Sequence, residues 1–144
     1  MKTNILYALC GIPGSGKSTY AKILAENTTS KLYSFDEYSE SNKPSESRRV
    51  KLQMHQDVYN DIATGLDVVV DDLHTKKEWR EKIISLVQNA SCKKILIVMT
   101  TPFEECLIRN KQRKRVLPDF VIKTLNKTYE EPSFDEGWDE ILYI

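Results

Sequence analysis

A three-layer α/β fold with about five parallel strands is what this chain predicts, on three observations. Continuous apolar runs recur near residues 4–10, 68–70 and 94–100, as strands buried on both faces require. Segments of helical periodicity separate them, long enough for the crossovers that parallel neighbours need. The 144 residues have the length of one domain and hold no internal repeat and no low-complexity segment.

Each element follows in order. Asn4-Ile5-Leu6-Tyr7-Ala8-Leu9-Cys10 reads as the first buried strand, and Gly11-Ile12-Pro13-Gly14-Ser15-Gly16 cannot continue it. A helix starts at Lys17, with Tyr20, Ile23 and Leu24 at helical spacing, and Asn27-Thr28-Thr29-Ser30 ends it. Residues 31–36 give a second short strand that stops at Asp36. The polar stretch 37–47, holding Asn42 and Pro44, reads as a loop free to move. A helix from about Arg48 to Thr64 carries Met54, Val58 and Ile62 on one stripe, and Gly65 caps it.

Val68-Val69-Val70, closed by Asp71-Asp72, is the third strand. A helix near 76–90 places Trp79, Ile83 and Val87 at successive fourth positions, and residues 94–100 form the fourth strand. Pro102 starts a helix with Phe103, Cys106 and Leu107 turned inward, leading into a basic run at 109–115. A last helix spans about 118–129, and Ile141-Leu142-Tyr143-Ile144 ends the chain as a short strand.

Composition narrows the function. With 40% hydrophobic and 29% charged residues, the profile is soluble and globular, which excludes disorder and fibrous repeats. Lys plus Arg equals Asp plus Glu at 21 each, so bulk charge cannot hold nucleic acid, although a local basic groove could. No apolar run reaches the roughly 18–20 residues of a membrane span, and the amino-terminal one is too short for a signal peptide. Cys10, Cys92 and Cys106 are odd in number and lack metal-like pairing; they read as reduced packing residues of a cytoplasmic protein.

The strongest motif is Gly11-x-x-x-x-Gly16-Lys17-Ser18, a Walker A loop lying between a strand and a helix, and it specifies the α/β class as a P-loop NTPase fold. Its glycines let backbone N–H groups turn inward around phosphate oxygens. Lys17 places a charge on the β- and γ-phosphates, and the Ser18 hydroxyl is a Mg²⁺ ligand. The expected ATP-binding set is therefore Gly11, Pro13, Gly14, Ser15, Gly16, Lys17, Ser18 and Thr19.

Ligands of open α/β sheets bind at the carboxyl ends of the strands, so polar residues there are candidates. Asp36 would lie beside the γ-phosphate and accept the proton of an attacking hydroxyl; otherwise it is a loop or helix-capping aspartate. Asp71 and Asp72 resemble a Walker B pair holding Mg²⁺. Side chains alternate faces, so only one can point at the metal; Asp71 is favoured, and Asp72 is left to touch substrate. His74 meets substrate or is a polar loop residue, and His55 is a solvated or half-buried helix residue.

Arg109-Asn110-Lys111-Gln112-Arg113-Lys114-Arg115 sets five cations in seven residues, placed where a lid would cross the nucleotide's phosphates. Arginines there neutralise the transferring phosphoryl group, with Arg109 at the nucleotide end of the run; otherwise the run is a solvated basic helix end. A second basic cluster, Lys43, Arg48, Arg49 and Lys51, could flank a polyanionic acceptor or be an ordinary helix surface.

Four blocks in this order resemble the kinase domain of phage polynucleotide kinase and its small predicted-kinase and AAA-type ATPase relatives. They are Gly11-Ile12-Pro13-Gly14-Ser15-Gly16-Lys17-Ser18-Thr19, Phe35-Asp36-Glu37-Tyr38, Val70-Asp71-Asp72, and Arg109-Asn110-Lys111-Gln112-Arg113 with Val116-Leu117-Pro118. Glu131-Pro132, with Glu136-Gly137-Trp138-Asp139-Glu140-Ile141, is similar to the ending of those relatives. The resemblance implies an ATP- and Mg²⁺-dependent kinase in which Asp36 is the general base toward a nucleic-acid 5′-hydroxyl. It also implies that Arg113 stabilises the transferred phosphoryl group. Ser39 stands where the phage enzyme has an acceptor-binding arginine, which leaves the acceptor open. A small-molecule or tRNA-linked kinase, or a non-catalytic nucleotide-binding module, are the other readings.

Overall fold

The computed structural model describes residues 3–39 and 47–144. Among them run β1 (Asn4–Cys10), α1 (Lys17–Thr28), β2 (Lys31–Ser34), α2 (Phe35–Ser39), α3 (Ser47–Ala63) and β3 (Val68–Asp71). There follow α4 (Lys77–Leu86), β4 (Cys92–Val98), α5 (Phe103–Lys111), α6 (Asp119–Lys127), a 3-10 turn at Phe134–Glu136 and β5 (Glu140–Tyr143). The strands form one sheet in the order β2-β3-β1-β4-β5, and every pairing is parallel, as expected.

Strand alternation builds the three layers. Leu6, Ala8, Val68, Val70, Leu96 and Val98 face one side, where Met54, Val58 and Ile62 of α3 and Ile83 of α4 cover them. Leu9, Val69, Ile95 and Ile97 face the other, under Ala21 and Ala25 of α1. Valine in a central strand suits this double burial, because β-branched side chains pack well on a pleated surface. Continuing the alternation, Asp71 shares the α1 side with Val69, and Asp72 turns toward α3.

Several boundaries differ from the sequence expectation, each for a local reason. The second strand stops at Ser34, so Phe35 and Asp36, expected in that strand, and Glu37 and Tyr38, expected in a loop, form α2. Asp36 and Glu37 occupy its first turn, where the helix macrodipole favours acids. The Tyr38 hydroxyl donates to Asp57 (2.7 Å), and Lys51 lies over the Phe35 ring (4.0 Å), so α3 holds α2 in place. The rest of the anticipated 37–47 loop falls almost wholly outside the described residues. Helix α4 ends at Leu86 rather than 90, because residues 87–90 close in i→i+3 turns (Val87 N–H to Ile84 O 3.2 Å, Ala90 N–H to Val87 O 3.0 Å).

The fourth strand runs over 92–98 rather than 94–100. The lysines at its start obscured it, but Lys93 is paired with Glu140 of β5 (2.6 Å). Helix α6 and β5 begin or end one or two residues from the expected positions. The basic run divides between the last turn of α5, through Lys111, and the connection to α6.

The carboxyl-terminal block is a buried clamp. Arg80 is fully buried and bidentate to Glu136 (Nε to Oε1 2.7 Å; Nη2 to Oε2 3.0 Å), and the Trp138 indole N–H donates to the same carboxylate (3.0 Å). Burial disfavours both charges, yet the paired hydrogen bonds raise the Arg80 pKa and lower that of Glu136. The remaining Arg80 donor reaches the His74 carbonyl (2.9 Å), which fixes the turn after β3.

Candidate functional site

The loop between β1 and α1 is forced into shape by its glycines. Gly14 has φ +87°, and a Cβ there would lie 2.3 Å from the backbone carbonyl oxygen of Cys106 in α5. Only glycine fits. Gly16 (φ +89°) is the N-cap of α1, and it offers no side chain to cap the helix. The first N–H groups of α1 therefore remain available to an anion, beside Lys17 and Ser18.

The β3 terminus completes this end of the site. Ser18 Oγ donates to Asp71 Oδ2 (2.7 Å), and Lys17 Nζ stands 3.6 Å from Asp71 Oδ1. Asp71 is buried, and among the described residues its Oδ1 accepts no hydrogen bond. A hydroxyl, a carboxylate oxygen with spare acceptor capacity and an adjacent phosphate cradle fit a hydrated Mg²⁺, which takes few protein oxygens and completes its shell with water and phosphate. Asp72, also expected as a metal residue, is not brought there. It faces α3, where one oxygen pairs with Lys51 and the other accepts from Leu73 N–H (2.8 Å), so both are engaged.

At the same carboxyl edge, beyond β2, Asp36 is exposed in the first turn of α2, and Arg113 Nη2 lies 3.7 Å from its Oδ2. The expected base and the expected lid arginine are thus side by side. Arg109 stands over the phosphate loop: its Nη1 would be 3.1 Å from a Cβ at Gly16, and Glu105, one turn earlier, holds its guanidinium (2.6 Å). Of the second basic cluster, Arg48 and Arg49 are exposed on α3, and Lys51 is committed to Asp72 and Phe35. Lys43 and the side chain of Ser39 lie outside the described residues.

Other groups were not legible in advance. Asn110, in the middle of the basic run, is fully buried at the end of α5. A cavity of about 320 Å³ adjoins the phosphate loop, with Ser15, Thr101, Tyr129 and Glu131 in its wall. Its polar lining comes from segments far apart in the chain, so no local motif signals it. His74, expected to meet substrate or to be a polar loop residue, lies in the loop after β3. It is buried at φ +48°, and its Nδ1–H donates to the Leu9 carbonyl (2.6 Å).

Both histidines are held neutral. Burial and then the Lys51 charge push the His55 pKa down to about 4, and burial lowers that of His74 as well. The unfolded chain, with histidines near 6.5, binds more protons between those values, so stability falls as pH drops from about 6.5 toward 4. Thermal melts should show Tm falling by several degrees between pH 7 and pH 4.5. His55→Gln should flatten that slope; an unchanged slope removes His55 as its source.

Comparisons with known proteins bear on the family and the fold. The chain is 26% identical over 155 residues to the Arabidopsis thaliana Protein KTI12 homolog, covering 96% of this chain and 51% of that protein. It is 23% identical to the L-seryl-tRNA(Sec) kinase of Methanococcus maripaludis, covering 94% and 56%. The chain thus spans about half the length of the curated relatives it matches. Among solved structures, Chaetomium thermophilum Kti12 in complex with ADP-AlF3 superposes with a TM-score of 0.79 at 20% identity, over 96% of this chain and 88% of that one. A fungal RNA kinase gives 0.76 at 17%, over 100% and 38%, and a Sinorhizobium meliloti gluconokinase 0.69 at 17%, over 100% and 83%. These structures share the fold. Residues 6–132 match the AAA domain family (AAA_33), and with its parallel sheet and phosphate loop the chain belongs to that family of P-loop kinase domains.

Proposed function

We propose that this chain is a phosphotransferase that moves the γ-phosphoryl group of ATP to a hydroxyl, with a nucleic-acid 5′-end as acceptor. The approach of Arg113 to Asp36 carries this reading. A module that only senses nucleotide has no need of a carboxylate and a guanidinium facing each other at the carboxyl end of the sheet.

In this reading the N–H groups of the loop and of α1, with Lys17, hold the β- and γ-phosphates. Ser18 and Asp71 would hold Mg²⁺, which when bound neutralises phosphate charge. Asp36 takes the proton of the attacking hydroxyl as the new P–O bond forms and the bond to the β-phosphate oxygen breaks, releasing ADP. Arg113 meets the charge on the moving phosphoryl group, and Arg109 binds the nucleotide. The ADP-AlF3 complex of the similar Kti12 structure supports nucleotide at this loop.

A tRNA-linked hydroxyl is the second reading, favoured by the similarity to L-seryl-tRNA(Sec) kinase and by a net charge of zero, which suits a small reactive end better than a long nucleic-acid track. The test is γ-labelled ATP offered with 5′-hydroxyl DNA, 5′-hydroxyl RNA, tRNA and a nucleoside panel. Label on a 5′-end supports the first reading and label on tRNA alone the second. Nucleotide binding without transfer to any acceptor leaves a binding module.

Asp36→Asn keeps the size and hydrogen bonding of the side chain but cannot take a proton. It should lower kcat by about 10²–10⁴ with the KM for ATP little changed. An equal loss of ATP binding would make Asp36 a structural or metal residue instead.

A further inference from the structure

Of the four cations between residues 111 and 115, only Arg113 is turned inward; Lys111, Lys114 and Arg115 are exposed. Nothing in the composition of this run selects that one. The selection comes from its frame. Asn110 is fully buried, and its carboxamide makes two opposed hydrogen bonds to one residue, donating to the Leu117 carbonyl (2.7 Å) and accepting from the Leu117 N–H (3.2 Å). The side chain thereby imitates a rung of backbone pairing and closes residues 110–117 into a ring. Within the ring, the Arg113 N–H donates to the Asn110 carbonyl (3.2 Å), and the Gln112 N–H to that of Arg109 (3.0 Å). Pro118, the N-cap of α6, anchors the far side. Arg113 leaves this ring with Nη2 toward Asp36 and a buried Nη1 that has no hydrogen-bond partner among the described residues.

We propose that Asn110 is a positioning residue for Arg113: its two hydrogen bonds to Leu117 hold the connection between α5 and α6 in the one conformation that presents the guanidinium beside Asp36. The inference rests on the proposed role of Arg113. An open seven-residue connection has many conformers, and ordering each of its residues costs backbone entropy. Without the ring, Arg113 samples those conformers and faces the site for a small fraction of the time. Misplacement of a catalytic group by about 1 Å is enough to lower a rate about 10²-fold.

The test is a double-mutant cycle read by ADP release from ATP, which needs no knowledge of the acceptor. Asn110→Ala should lower kcat about 10–100-fold while the KM for ATP changes less than about two-fold. In the Arg113→Ala background the same substitution should have no further effect on kcat, while its reduction of Tm remains. Asn110→Asp, which keeps the volume and the bond from Leu117 N–H but cannot donate to the Leu117 carbonyl, provides the same comparison if the alanine variant does not fold. A kcat loss of equal size in both backgrounds makes Asn110 a general stability residue and overturns the proposal. An unaltered kcat in Asn110→Ala beside a lowered one in Arg113→Ala overturns it too, and leaves the role of Arg113 standing. If Arg113→Ala itself changes nothing, the reading of Arg113 fails first and this inference with it.

Discussion

Lys17→Ala is expected to lower phosphoryl transfer at least about 10³-fold, because it removes a cation placed against both the loop and Asp71. The substitution also touches stability. Lys17 is only 9% exposed, and Asp71 beside it 5%, so the lysine is part of a buried charge arrangement rather than a surface residue at a helix start. Its loss leaves Asp71 with the Ser18 hydroxyl and the weaker Ser34 contact (3.4 Å) as partners. The uncompensated carboxylate should lower Tm by a few degrees, short of unfolding a sheet in which β3 is buried along its whole length. Lys17→Met retains the apolar stem and separates the two effects: it should restore part of the Tm and none of the activity. Steady-state ADP release and thermal melts on both variants decide the matter. Turnover at the wild-type rate in either would remove the loop from nucleotide chemistry.

The parallel sheet was legible because its signal is local: apolar runs of strand length, with glycine and proline where the chain must turn. The phosphate loop was legible for the same reason, since adjacent residues build it. The alternation of side chains across a strand puts Asp71 and Asp72 on opposite faces, and the two carboxylates do lie so; alternation alone does not select which of them serves a metal. Asp36 was expected at the end of a strand and lies in the first turn of α2. Four residues of strand followed at once by one turn of helix contain no punctuation that a periodicity can read, and α2 is held by α3 rather than by its own propensity. Arg80 and Asn110 were out of reach for a different reason. Arg80 meets its carboxylate 56 residues away, and Asn110 uses its carboxamide on a backbone. Polar side chains satisfied inside a fold look, in sequence, like polar side chains in water.

Arg113→Ala and Arg109→Ala should give opposite kinetic signatures although one helical turn separates them. Arg113 faces Asp36, where charge develops only as the phosphoryl group moves, so its truncation should lower kcat by roughly 10³–10⁵ with little effect on the KM for ATP. Lysine should rescue it poorly, because an ammonium cannot donate two parallel hydrogen bonds to the phosphoryl oxygens. Arg109 stands over Gly16 at the nucleotide end, held by Glu105, and binds ground state and transition state alike. Its truncation should raise the KM for ATP and leave kcat near that of the wild type. Glu105→Gln should repeat the Arg109 signature more weakly, since an exposed i,i+4 ion pair contributes only about 0.3–0.5 kcal/mol. Steady-state ATP kinetics on the three variants separate the two arginines. If Arg109→Ala and Arg113→Ala behave alike, or if neither constant moves by more than a factor of a few, the cluster is a solvated basic helix end and the lid assignment falls.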